Sequence, residues 1–169
     1  MRQLTTAAVA AIVATAGSAQ AATFWTGYDF EFVKTGFAGT GPDQQDRITN
    51  DVWLTRSDVA GILNIASEEF YSFDVSPEGT LWAFGTIDDG VGTLSFSVWR
   101  DWHGGNPPSS VGRNAVLYIP ADDLYIDIRF TSWGGAASGG AFSYVRGIPA
   151  PASAGLLGLA GLVAARRRR

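Results

Sequence analysis

The alternation of apolar and polar residues along the chain marks a series of short strands. Over residues 26–34, Tyr28, Phe30 and Phe32 alternate with Asp29 and Glu31, the period of two expected of a strand with one buried and one wet face. Gly36, Gly39, Gly41 and Pro42 dissolve the pattern over 35–50, and Val52, Trp53, Leu54 and Thr55 briefly restore it. Behind a capping Ser57, Val59, Ile62, Leu63 and Ala66 form an apolar stripe with helical spacing, which predicts one helix over 57–69, with Gly61 and Asn64 working against it. After the turn at 76–79, strands are expected over 80–86 and 92–99, with Asp88, Asp89 and Gly90 as the hairpin between them.

The last third alternates most cleanly. Strands over 115–119 and 124–133 are joined by Pro120, Ala121, Asp122 and Asp123, and in the second of them Leu124, Ile126, Ile128 and Phe130 define a core face. The other face, expected to be wet, carries Tyr125, Asp127, Arg129, Thr131 and Trp133. A glycine-rich loop over 134–140 precedes a closing strand over 141–146, with Phe142 and Tyr144 on one side. Some seven strands separated by Gly, Pro and Asp turns predict an all-β fold, an antiparallel β-sandwich or jelly roll with at most one short helix.

The two ends follow other rules. Met1-Arg2, an apolar run over 7–16 and the small-x-small site Ala19-Gln20-Ala21 have the parts of a secretory signal peptide, residues 1–21, so export is expected. At the other end, Pro149, Ala150 and Pro151 make a hinge before the apolar, uncharged run 154–165 and the block Arg166, Arg167, Arg168 and Arg169. Fixed positive charge after an apolar helix former holds that end on the cytoplasmic side of a membrane. Residues 152–165 would reach about 21 Å as a helix, short of the roughly 30 Å hydrocarbon core, so a transient inner-membrane insertion is expected rather than a permanent anchor. One domain, 22–147, lies between the signal peptide and the tail 148–169.

The tail resembles the PEP-CTERM class of sorting signals of exported bacterial proteins, in a Pro-Ala-Pro variant with Ala150 where the family has its acid. The resemblance implies a sorting protease of the exosortase type as partner, recognising Pro149 and Pro151 with the short helix and the arginines, and a destination at the cell envelope or extracellular surface. The body is similar to a group of uncharacterised secreted bacterial β-domains, through 123–133, Trp82-Ala83-Phe84-Gly85 and the closing Gly139-Gly140-Ala141-Phe142-Ser143-Tyr144. That likeness implies no activity.

Charge narrows the function. All 21 aromatic residues lie between Phe24 and Tyr144, in a body where one lysine and six arginines meet sixteen acids, a net charge of −9 against −4 for the whole chain. Such a surface does not suit nucleic acid or anionic lipid, which need clustered cations. With no cysteine, no disulfide staples the fold. Asp43, Asp46 and Asp51 gather in a loop that could hold Ca²⁺, but their spacing lacks the regular pattern of a calcium loop, and a solvated acidic loop is the preferred reading, with no cofactor. His103, the only histidine, has no visible catalytic partner, and nothing selects a carboxylate pair for glycan hydrolysis among the sixteen acids.

The leading expectation is therefore an exported, surface-sorted, non-catalytic protein of the matrix or adhesion kind. A carbohydrate-binding module or secreted glycan hydrolase is the alternative, and recruitment into an assembly through a strand edge a third class. If polysaccharide is bound, Tyr125, Asp127, Arg129 and Trp133 on the wet face, with Trp102, are the expected ligand-binding residues, supplying ring area and bidentate hydrogen bonds. Trp53 and Trp99 are further tests of whether the tryptophans reach solvent or fill the core.

Overall fold

The computed structural model of the protein describes residues 21–150. Its spine is β8 (Leu124–Trp133), the longest strand, which takes partners along both sides. On one side runs β7 (Ala115–Ile119), antiparallel, with Ile119 opposite Leu124 across the short turn and Ala115 opposite Ile128. On the other side two strands share its length. β1 (Thr23–Trp25) lies parallel to residues 124–126, and β9 (Phe142–Arg146) lies antiparallel to residues 128–133. Outward from these, β2 (Phe30–Lys34) pairs with β9 and β6 (Leu81–Phe84) with β7, completing a six-stranded sheet. A second, three-stranded antiparallel sheet contains β3 (Asp46–Arg47), β4 (Trp53–Arg56) and β5 (Ile62–Asn64). The described chain is thus mostly β and, apart from β1, antiparallel, with one four-residue helix, α1 (Trp99–Trp102).

One core serves both sheets. Ile48, Val52, Leu54 and Ile62 from the smaller sheet and its connections join Trp82, Leu117, Ile126, Ile128, Phe130 and Tyr144 of the larger one. Burying a Leu, Ile or Phe side chain contributes about 1.5–3 kcal/mol, so this shared cluster is a large attraction between the two sheets. A polar tie crosses the same interface. Asp46 of β3 accepts hydrogen bonds from Arg146 Nε and Nη2 and from the Tyr144 hydroxyl of β9, each at 2.7 Å, with all three residues buried. Burial alone would lower the Arg146 guanidinium, but the hydrogen bonds and charge of Asp46 outweigh it and hold it above its ordinary value. Burial, then the Asp46 charge, pushes the Tyr144 phenol well up, so it remains a donor.

Several expected elements are replaced, each for a local reason. The helix over 57–69 does not form; its centre is β5, flanked by turns. Asn64 serves tertiary contacts instead, accepting from Trp53 N at 2.8 Å and donating to the carbonyls of Asp51 and Glu78. Gly61 is covered by the Tyr71 ring, where an added Cβ would sit 2.4 Å from a ring carbon. The strand over 26–34 begins only at Phe30, and Thr23–Trp25 pairs separately. In place of a hairpin at 88–90 there is a 3-10 turn, Ile87–Asp89, capped reciprocally by Thr86 and Asp89. The strand over 92–99 is reduced to a bridge of Ser97 with Trp82, followed by α1. Asp46, expected in a solvated loop, is buried on Arg146, and no cluster of three acid or His ligands occurs among the described residues. The C-terminal helix expected over the apolar run 154–165 falls outside them, and no described helix is long and apolar enough to cross a membrane.

Because the tie is buried, removing one partner leaves the other charge uncompensated. Asp46→Ala should cost about 3–5 kcal/mol in denaturant unfolding, and an apolar pair at 46 and 146 should cost less than the single change. A loss under about 1 kcal/mol for Asp46→Ala would show that the tie does not hold the sheets together.

Candidate functional site

The residues expected on one wet face of β8 do not stay together. Tyr125, Asp127 and Arg129 share a face as alternation requires, but Gly27, Tyr28, Ile87 and Phe96 pack against it. Asp127, 5% exposed, accepts from Gly27 N at 3.1 Å and from Ile87 N at 2.9 Å, so its carboxylate pins both of these segments. Arg129 lies 4.6 Å above the Tyr28 ring. Tyr125 stands in a transverse row set by strand register, stacked on Tyr118 of β7 at 4.2 Å and on Phe24 of β1 at 5.5 Å. Phe96 caps the two tyrosines edge-on. The neighbouring Tyr125 hydroxyl, then burial and Asp123, push the Tyr118 phenol up to about 12, which keeps it a neutral hydrogen-bonding group. Phe24, 45% exposed, is the most open ring of this row.

Trp133 is on the opposite face. A bulge between Phe130 and Ser132 inserts one extra residue into β8, so Thr131 and Ser132 both oppose Ser143, their hydroxyls 2.7 and 2.6 Å from its Oγ. The extra residue flips the parity of everything after it. Trp133 therefore joins the core side, against Trp99, Phe130 and Phe142, with the Arg56 guanidinium 4.1 Å from its ring. Trp102, 7% exposed, is also a core residue, in a nest with Trp82 at 5.5 Å and Trp99 at 5.2 Å. His103 packs edge-on to Trp99 at 4.7 Å, and neither ring nitrogen has a hydrogen-bond partner among the described residues. Burial holds this imidazole below its ordinary value, with its own backbone hydrogen bond acting in the other direction. A neutral histidine enclosed by indoles is a packing residue.

What the fold does assemble is a cavity of about 500 Å³ around Trp53, lined by Arg47, Thr49, Asn50, Asp51 and Asp122. The Trp53 indole is fixed by a hydrogen bond from Nε1 to the Thr49 carbonyl at 3.0 Å and carries Arg47 at 4.2 Å over its ring. Arg47 is itself oriented by the Gln45 amide oxygen, at 3.2 and 3.0 Å. Asp51 comes from the turn into β4 and Asp122 from the β7–β8 turn, so the two solvent-exposed carboxylates meet only through packing of the sheets. An oriented half-buried indole ringed by an amide, a hydroxyl, a guanidinium and carboxylates can receive a ligand with one apolar face and many hydroxyls. Of this set only Trp53 and Asp51 stood out in the sequence, and no spacing signal links positions 47–53 to 122.

In comparison with known proteins, no family model matches the chain, and neither a curated protein nor a solved structure is significantly similar to it.

Two outcomes test these placements. Trp133→Ala should cost about 3–5 kcal/mol of stability, since the ring packs against the core; a loss under about 1 kcal/mol would return it to the surface. For His103 the folded value is depressed, so the unfolded chain binds the proton more readily, and stability is full above the unfolded value of about 6.5 and falls as pH drops below it. Urea unfolding between pH 7 and 5 should show stability declining by no more than about 1.4 kcal/mol per pH unit, and His103→Phe should flatten that decline.

Proposed function

We propose that this is an exported, surface-sorted, non-catalytic protein of the matrix or adhesion kind, whose body contacts extracellular polysaccharide at the Trp53 cavity. The carrying observation is that cavity: a fixed indole with hydroxyl, amide and charged groups at its rim, on an acidic body. The non-catalytic reading is supported by the commitments of the buried titratable groups. Asp46 is paired with Arg146, Asp127 is bonded to two backbone amides, and His103 is enclosed by indoles. In this reading the six- and three-stranded sheets are the two layers of a β-sandwich, residues 22–147 are one exported domain, and no metal or cofactor takes part.

The sorting half of the proposal rests on sequence. Residues 1–20 and 151–169 lie outside the described residues, and Pro149, which is described, is exposed beyond the end of β9. A signal peptide followed by a Pro-Ala-Pro hinge, a short apolar run and Arg166, Arg167, Arg168 and Arg169 would route the chain through the inner membrane to an exosortase-type protease and then to the surface.

Replacing the four arginines with serine should leave export intact and impair sorting, read by fractionation and intact mass of the native product. The Trp53→Ala body should fold normally and lose retention on immobilised polysaccharide. Wild-type protein that stays in the cytoplasm would sink the export reading, and equal retention of wild type and Trp53→Ala would sink the Trp53 contact.

A further inference from the structure

The connection between β5 and β6 is built as a rigid display. Glu68 anchors it: its carboxylate accepts from Asn64 N at 2.6 Å and from Glu78 N at 3.0 Å, and takes the Ser76 hydroxyl on its other oxygen. Ser76 Oγ in turn accepts from Ser72 N at 2.7 Å. Both ends of an eleven-residue excursion, 68–78, are thus drawn to one side chain. Such a closed, internally bonded loop has the character of an Ω-loop. Its tip presents Phe70, 76% exposed, with Phe73 and Val75 also exposed. Ordering a loop costs conformational entropy, and although Arg100 covers the Phe73 ring at 4.4 Å, the Phe70 ring returns little apolar burial to the fold.

Beside the tip lies a groove of about 370 Å³. Its lining combines apolar Ala60, Leu63 and Ile65 and the rings of Phe70 and Tyr71 with Thr40, Ser57 and Glu69, which supply two hydroxyls and a carboxylate. Tyr71 lies against Gly61, which has no side chain to displace the ring. The combination matches a pyranose, which has C–H faces for rings and apolar side chains and hydroxyl edges for oxygen acceptors. Charge selects the class. No basic residue lines the groove, Glu69 is at its rim, and Lys34, the body's one lysine, is buried against Asp58. The Glu69 carboxylate disfavours an anionic saccharide there.

We propose that the groove beside Phe70 is a second saccharide site, taking a neutral glycan, so that one domain engages polysaccharide at two separate places and cross-links chains. The proposal rests on the polysaccharide reading of the Trp53 cavity for its biological setting, but the groove is lined by none of the same residues. Two sites on one rigid body raise retention on a multivalent surface without any new contact, through effective concentration.

The test uses the protein with the residues of its tail present, titrated calorimetrically with neutral oligosaccharides and with a uronic-acid oligosaccharide as the anionic arm. Phe70→Ala should weaken the neutral glycan at one site by about tenfold or more, a change of about 1.4 kcal/mol, with unfolding midpoint unchanged because the ring is exposed. Gly61→Ala, which displaces Tyr71 and leaves every groove side chain present, should weaken it as well. Trp53→Ala should leave this site's affinity intact, and the Phe70 and Trp53 variants should each abolish cross-linking of glycan-coated beads. A single binding event lost in Trp53→Ala and untouched in Phe70→Ala would overturn the groove while sparing the Trp53 reading. The reverse result would spare the groove and overturn the Trp53 contact. Preference for the uronic-acid oligosaccharide at the Phe70 site, or no binding there, would overturn the proposal.

Discussion

The two sheets of this domain meet across a carboxylate. Asp46 sits near the chain's first third and its partners, Tyr144 and Arg146, near the end, so the contact closes almost the whole length of the body. An unpaired Asp at that depth would be costly to bury, and an unpaired Arg equally so; together, with three short hydrogen bonds, they are tolerable and specify how β3 must sit on β9. Shape alone would allow the smaller sheet to slide over an apolar surface. The bidentate geometry of guanidinium on carboxylate removes that freedom. The Trp53 cavity depends on it directly, because Arg47 follows Asp46 in β3 and Trp53 is its cross-strand partner.

Arginine has a second, repeated use here. Each of the six arginines in the body lies against a ring: Arg47 on Trp53, Arg56 on Trp133, Arg100 on Phe73, Arg113 on Phe84, Arg129 on Tyr28, and Arg146 on Phe30 and Trp25. A planar, weakly hydrated cation covers apolar ring surface while keeping its charge, which lets an aromatic-rich domain lacking disulfides seal its edges. The consequence for recognition is that the cations are engaged with rings while most of the acids, Asp46 and Asp127 apart, stay nearer the surface. The surface that results is anionic with patches of aromatic carbon, which favours uncharged, amphipathic ligands and disfavours phosphate or sulfate.

Display and packing compete for the same residue types. The tryptophan nest of Trp82, Trp99 and Trp102 is enclosed, and the Tyr118–Tyr125 stack turns its faces to itself. Phe70 and the indole of Trp53 differ because local hydrogen bonds, not core contacts, fix their settings: Glu68 closes the loop that carries one, and the Thr49 carbonyl orients the other. Rings positioned by polar anchors can stay near solvent without becoming mobile.

By itself the sequence determined what depends on short-range periodicity and composition. The β class, the 115–119 and 124–133 hairpin, the inward Leu124, Ile126, Ile128 and Phe130 and the closing strand all follow from a period of two, which a strand's geometry imposes locally. The body's acidic excess is likewise a property of residues alone. Only the tertiary structure decided where alternation stops, because a bulge at Thr131 and Ser132 changes the face of Trp133 without any mark in residue type. It also decided that 57–69 is not a helix, since Asn64 gains more from Trp53, Asp51 and Glu78 than from helical bonds that a glycine at 61 weakens. And it decided which acids are buried and which rings remain exposed, since burial is set by contacts between positions a hundred or more residues apart, which no local pattern encodes.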